Sequence, residues 1–174
     1  MTRFRSDLEA VPTLVQRHGR MIDNGGRVGA AAARGEAFLE GVQRRDGDFA
    51  VFTSTDPAMA GGCAEDPSVC PNCLIASCLS FSGRPAAARM RARLHRWLRA
   101  EADRHGLWRH WPREHPHHDR IPPDLDDTSC ASAALADAGE SPPDNRAVLL
   151  ANRRSDGLFY TWIVPRLGAG RAHG

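Results

Sequence analysis

Three times in 174 residues the chain sets a polar residue, a glycine, one further residue and an aromatic ring in a row: Asp46-Gly47-Asp48-Phe49, His105-Gly106-Leu107-Trp108 and Asp156-Gly157-Leu158-Phe159. Glycine supplies the left-handed backbone that ends a helix, and a ring two positions on folds back over the helix end. The glycines recur at intervals of roughly 50 to 60 residues, which leaves room for about two helices per unit. A helix stop on that spacing confines the fold to stacked helical hairpins, because one hairpin alone cannot bury its apolar face.

Between the stops, apolar residues keep helical spacing and nowhere alternate as in a half-buried strand. Ala30 to Ala33 with Phe38, Leu39 and Val42 predict a helix that ends near Arg45-Asp46-Gly47. Pro71 is suited to opening a second helix through Leu74, Ile75, Leu79 and Phe81. A longer helix is expected from about Pro85 to His105, with Met90, Leu94, Trp97 and Leu98 on one face and arginines on the other. Asp56 to Asp66 has loop composition. The expected class is all-α, organised as an N-terminal helix and loose connection over 1–29, helical repeats over 30–165, and a frayed Gly/Ala/Arg-rich tail over 166–174.

The length fits one domain with a real core, and 41% apolar residues fit a globular chain. All 23 basic residues are arginine, against 21 acidic ones. A net charge of +2 spread along the chain argues against a nucleic-acid surface. No run approaches the roughly 18 apolar residues of a membrane span, and charge and Pro12 interrupt Met1 to Arg20, so no signal peptide is expected. A soluble cytoplasmic protein follows.

The chemistry concentrates in Ile121-Pro-Pro-Asp-Leu-Asp-Asp-Thr-Ser-Cys130, which runs into small helix-forming residues. Pro122 and Pro123 forbid a regular helix ahead of Asp124, while Asp127, Thr128 and Ser129 suit a cap or first turn. Asp124, Asp126 and Asp127 therefore crowd a helix entrance. Like charges held close raise the pKa of at least one member, and a carboxylic acid kept protonated can start a reaction by protonating an alkene or epoxide. The plain alternative is an acidic helix cap on a solvated loop.

Asp124-Leu125-Asp126-Asp127-Thr128 resembles the D-x-D-D-T signature of class II terpene cyclases and squalene-hopene cyclases. Gln43-x-x-x-Gly47-x-Phe49 is similar to the repeated QW motif of squalene and oxidosqualene cyclases, in which Gln and Trp tie neighbouring hairpins of an α/α toroid. Phe stands for Trp in the first and third copies, and Ala102 and Arg153 stand where Gln would be in the other two. The resemblance covers about Ala30 to Pro165, roughly half of a closed ring. It implies helical hairpins forming an arc or partial α/α toroid, with Asp126 as general acid, Asp124 and Asp127 tuning it, and a linear isoprenoid as substrate. No cofactor is implied, although a diphosphate substrate could bring Mg²⁺.

A half ring must work as a truncated member, pair with a second copy or be completed by a partner, since open repeat faces cost solubility. A non-catalytic binding or oligomerising module is thus the alternative. A D-x-D-x-T phosphohydrolase, with Asp124 as nucleophile, is a third reading, but its motif ends a buried parallel strand and none is legible before Asp124.

Trp108, Trp111, Phe159, Tyr160 and Trp162 are candidates to line a cavity and face a cation. Among histidines 105, 110, 115, 117 and 118, His118 stands near the acidic motif in sequence and could bond one of its aspartates. Cys63, Cys70, Cys73 and Cys78 contain one C-x-x-C, which can serve zinc or redox chemistry. Their spacing lacks paired zinc knuckles, and Cys73 and Cys78 lie in a helical apolar run, so a structural role without stoichiometric metal is expected. Cys130, at the head of the helix beside the aspartates, is not expected to be a nucleophile.

Overall fold

The computed structural model describes residues 26–141 and 144–164. It is all-α. Its helices are α1 (Arg27–Val42), α2 (Val69–Ser80), α3 (Pro85–Glu101), α4 (Leu125–Asp137) and α5 (Arg146–Ala151), with a 3₁₀ turn at His118–Arg120. The sheet among the described residues is a single antiparallel pair, β1 (Phe52–Thr53) and β2 (Ala64–Glu65), with Phe52 opposite Glu65. No described helix is long and apolar enough to cross a membrane.

The chain divides into two units, Met1–Phe38 and Leu39–Gly174. The described part of the first is the opening of α1, where Ala30 N–H reaches Gly26 O at 3.1 Å and no residue is buried. That bond carries the helix back three residues beyond the alanine run. Most of the expected N-terminal helix and connection, and the tail from 166, lie outside the described residues.

In the second unit the core follows from helical spacing. α2 buries Val69, Cys73, Ala76 and Leu79, α3 buries Ala87, Met90, Leu94, Trp97 and Leu98, and α4 buries Ala131, Ala134 and Leu135. These stripes at intervals of three and four are the apolar faces of amphipathic helices. α2 lies against both α3 and α4, and Phe49 and Trp108 close the cluster. Truncating a side chain as buried as Leu98 costs roughly 2 to 5 kcal/mol.

The three Gly-x-aromatic stops share one backbone pattern. Arg44 N–H bonds Asp48 O and Gly47 N–H bonds Arg44 O; Asp103 pairs with Leu107 and Gly106 in the same way, as does Arg154 with Leu158 and Gly157. Gly47, Gly106 and Gly157 all have positive φ, at 108°, 68° and 91°. At Gly47 glycine is demanded twice, since a Cβ there would stand 2.5 Å from the Arg93 carbonyl oxygen. α3 stops at Glu101 rather than near His105 because Asp103 turns back: its carboxylate accepts from His105 N and Leu107 N, drawing 103–107 into the loop. β2 falls within the Asp56 to Asp66 stretch where composition predicts loop, β1 just ahead of it, and the turn between them is organised by Asp56, whose carboxylate accepts from the backbone of Ala58, Ala60 and Gly61.

Two residues after each ring, the chain accepts a backbone bond from an incoming segment. Val51 O receives Asp66 N, His110 O receives Val69 N at the start of α2, and Thr161 O receives Leu125 N at the start of α4. The entrances of α2 and α4 are thus each held by the loop that follows the next helix.

Candidate functional site

Pro122 and Pro123 keep the chain extended into Asp124, which ends the extended segment with φ −123° and ψ 163° and caps α4. Its side-chain Oδ1 accepts from Asp127 N at 2.8 Å, which satisfies one of the orphan donors of the helix start. Asp124 N–H donates to Trp108 O at 3.2 Å, and Asp124 pairs across an antiparallel bridge with Trp162. The acidic cap expected from composition is therefore present, and it is buried rather than solvated, with Asp124 5% and Asp127 3% exposed.

The three carboxylates part company here. Asp126 points to solvent. Asp127 turns inward, and its pKa is raised to about 8, first by burial and then by the Asp124 carboxyl, which lies within hydrogen-bonding reach and repels a second charge; the Cys70 backbone opposes the rise weakly. Asp127 Oδ1 is buried and has no hydrogen-bond donor. A proton on one of the two carboxyl groups resolves that vacancy, because it lets Asp127 and Asp124 bond each other. The pair can hold a proton near neutral pH next in sequence to the exposed Asp126.

The histidine beside this pair is His110, whose Nδ1 lies 3.8 Å from Asp127 Oδ2 and 3.2 Å from Ser68 Oγ. His118, the sequence candidate, is elsewhere: its Nδ1 meets Trp111 O at 2.8 Å. Nearness in sequence misleads because the extended segment after Trp108 carries His110 across the start of α2. The signal that could have found it is its place two residues after the ring of the second stop.

The aromatic candidates do not gather in one cavity. Trp108 is wholly buried in the core, its Nε1 donating to Leu98 O at 2.7 Å. Trp111 stacks on His115 and donates to Asp66. Tyr160 is exposed with the Arg154 guanidinium 5.5 Å above its ring, and Phe159 is exposed beside it. Trp162, about half exposed, is the one brought to the acids, through its bridge to Asp124.

Behind Asp127 sit thiols. Cys70 and Cys130 approach to 3.9 Å between sulfurs, and Cys73 is buried next to them. Burial and the neighbouring Cys130 push the Cys70 thiol up to about 12, and burial pushes Cys73 further in the same direction. Thiols held neutral in this way are poor nucleophiles. Cys63 and Cys78 are exposed and apart from this group. Among the described residues no set of three His, Cys, Asp or Glu side chains has the arrangement to hold a metal ion.

Asn72, which sequence reading passed over, and Thr128, read there as a helix-start residue, tie the helix stops to the helices beside them. Asn72 binds both backbone groups of Phe49, and Thr128 does the same for Trp108, each four residues after its helix cap, Ser68 and Asp124. Gln43 Nε2 donates to Gly47 O and to Met90 O, joining the first stop to α3. Arg153 at the matching position donates to Gly157 O at 3.0 Å. No family model matches the chain, and no curated protein or solved structure matches it either.

Proposed function

We propose that this chain is a terpene-cyclase-like repeat protein, an arc of an α/α toroid, whose chemistry is protonation-initiated cyclisation of a linear isoprenoid. The observation that carries this reading is the buried Asp124–Asp127 pair, in which burial and the Asp124 carboxyl raise the Asp127 pKa to about 8, beside the exposed Asp126 in sequence. In this scheme Asp126 is the acid that meets the alkene, and Asp124 and Asp127 set its orientation and proton supply. His110, facing Asp127, would return a proton after turnover. The shared geometry of the three stops supports a repeat of the toroid kind, as does the Gln43 link between a stop and a helix of the next unit. The first step needs no metal; Mg²⁺ would enter with a diphosphate-bearing substrate. A cytoplasmic location and no nucleic-acid partner belong to the same proposal.

A non-catalytic module, self-associating or completing a ring with a partner, is the second reading. It is favoured by a specific observation: Asp124, Asp126 and Asp127 line neither the cavity of about 510 Å³ nor that of about 870 Å³. Carbocation chemistry needs a dry enclosure, which such a partner would supply. The phosphohydrolase reading requires Asp124 to leave a parallel strand, whereas Asp124 is a helix cap behind two prolines.

The test is incubation of the protein and its Asp126→Asn variant with squalene, farnesyl diphosphate, geranylgeranyl diphosphate and a phosphomonoester, with and without Mg²⁺. Cyclic product lost in the variant is the expected result. Phosphate release that depends on Asp124 would replace the proposal with the phosphohydrolase, and silence from the folded protein would replace it with the binding module.

A further inference from the structure

The larger of the two cavities, about 870 Å³, is lined by residues of the second unit, none of them Asp124, Asp126 or Asp127. Its size falls within the roughly 300 to 1,000 Å³ of small-molecule sites. Leu107, Pro122, Pro123, Val148 and Ile163 give it an apolar floor. Leu107 and Ile163 are 5% and 4% exposed, so the floor is packed into the fold rather than raised from a loose surface. α5 forms one wall, through Ala147, Val148 and Ala151.

Charge on the rim is one-sided. Arg104, Arg109 and Arg113 line the cavity, and Asp103 is the single carboxylate that does so. Asp103 is also occupied, since one of its oxygens accepts the backbone N–H groups of His105 and Leu107. None of the three guanidinium groups is within ion-pairing distance of a described carboxylate; Glu101 is the acid whose charge reaches Arg113. Two of them are instead oriented by backbone carbonyls, Arg109 by Ile121 O and Arg113 by Ala100 O and Ala102 O. A guanidinium bound to carbonyls keeps its full charge and its remaining donors, so an anion meets arginines already fixed in direction.

We propose that this groove binds a monomeric long-chain organic anion, its chain over the Pro122–Pro123 floor and its phosphate or carboxylate head among Arg104, Arg109 and Arg113. The floor sets the preference for a chain, the rim sets the preference for an anion, and neither alone selects the molecule. This inference does not rest on the cyclase reading, because none of the three aspartates lines the groove.

The full chain is titrated calorimetrically with farnesyl diphosphate, dodecyl phosphate, farnesol and inorganic pyrophosphate, and with vesicles of anionic phospholipid. Saturable 1:1 binding of farnesyl diphosphate or dodecyl phosphate is expected, with farnesol and pyrophosphate each at least about tenfold weaker. Arg104 is exposed and, among the described residues, its side chain hydrogen-bonds His105 alone, so Arg104→Ala should weaken binding about tenfold without unfolding the chain. Val148→Glu, which sets a carboxylate in the floor, should weaken it further, while Arg89→Ala, at an exposed pair with Glu40, leaves it unchanged.

Absence of saturable binding by either chain-bearing anion would overturn the proposal, as would binding indifferent to both Arg104→Ala and Val148→Glu. Binding to vesicles alone would assign the arginines to a membrane surface instead. A dimer seen by analytical ultracentrifugation that Val148→Glu dissociates would show that a second copy covers the groove, and would equally overturn it.

Discussion

The Thr128 hydroxyl holds both backbone groups of Trp108: Trp108 N–H donates to Thr128 Oγ1 at 3.0 Å, and the same hydroxyl donates to Trp108 O at 3.4 Å. Both residues are wholly buried. One hydroxyl thereby fixes the second helix stop against the first turn of α4, one residue from the Asp127 carboxyl. Thr128→Val keeps the shape and removes both bonds, leaving two buried backbone groups without that partner. A loss of about 1 to 3 kcal/mol is expected, with Thr128→Ser recovering most of it, measured by urea denaturation.

Gly47 and Gly139 both have positive φ, but only Gly47 is crowded, with the Arg93 backbone where a Cβ would stand. Gly47→Ala should cost clearly more than Gly139→Ala, which meets nothing within 4 Å and carries the conformational cost of about 1 kcal/mol alone. Equal losses in thermal denaturation would mean that the approach of Arg93 to the first stop is absent in solution.

The raised pKa of Asp127 has a definite sign. The folded state holds this proton more tightly than the unfolded chain, so below the ordinary carboxylate range the group contributes no difference, and stability falls as pH rises from about 4 to the folded value of about 8. The slope from one such group is at most about 1.4 kcal/mol per pH unit. Asp127→Asn, whose amide can donate to Asp124 as the protonated acid does, should flatten stability against pH across that window and raise the melting temperature at pH 8. A wild-type profile already flat from pH 4 to 8 would count against a shared proton.

Asp126 is exposed, so Asp126→Asn should change stability by less than about 0.5 kcal/mol. Under the proposed function it should nevertheless remove cyclic product. Loss of product together with loss of fold would assign Asp126 a structural role.

Thiol accessibility offers a check on the core. Cys63 and Cys78 are exposed, Cys73 is buried, and Cys70 is half-buried with its thiol held neutral. A chromogenic disulfide reagent at pH 7.5 should titrate Cys63 and Cys78 rapidly and reach Cys73 only on unfolding. Alanine substitution of each cysteine assigns the phases.

Helical class, the rough extents of α1 to α3 and a helix entrance after the proline pair were legible because they depend on local chemistry: apolar spacing of three and four, glycine at positive φ, and prolines that bar a helix before Asp124; that Asp124, rather than Asp127, Thr128 or Ser129, is the cap came from the structure. The end of α3 was less so, because the chain after Glu101 still has helical composition and yields only when Asp103 collects the backbone of His105 and Leu107. The β1–β2 pair was hidden for a similar reason, since Phe52 and Glu65 meet only once Asp56 has closed the turn between them.

By itself, then, the sequence determined that this chain is built of helices stopped three times in one manner, and that three aspartates meet at one helix entrance. Tertiary structure decided which aspartates are buried, because Asp124 caps α4 inside the fold and Asp127 turns toward Cys70 and His110, while Asp126 is left outside. It also decided that His110 rather than His118 faces the acids, and that the candidate aromatics scatter. Neighbouring residues on a helix point about 100° apart, so whether a carboxyl keeps its proton depends on packing partners supplied by distant parts of the chain, which local pattern does not encode.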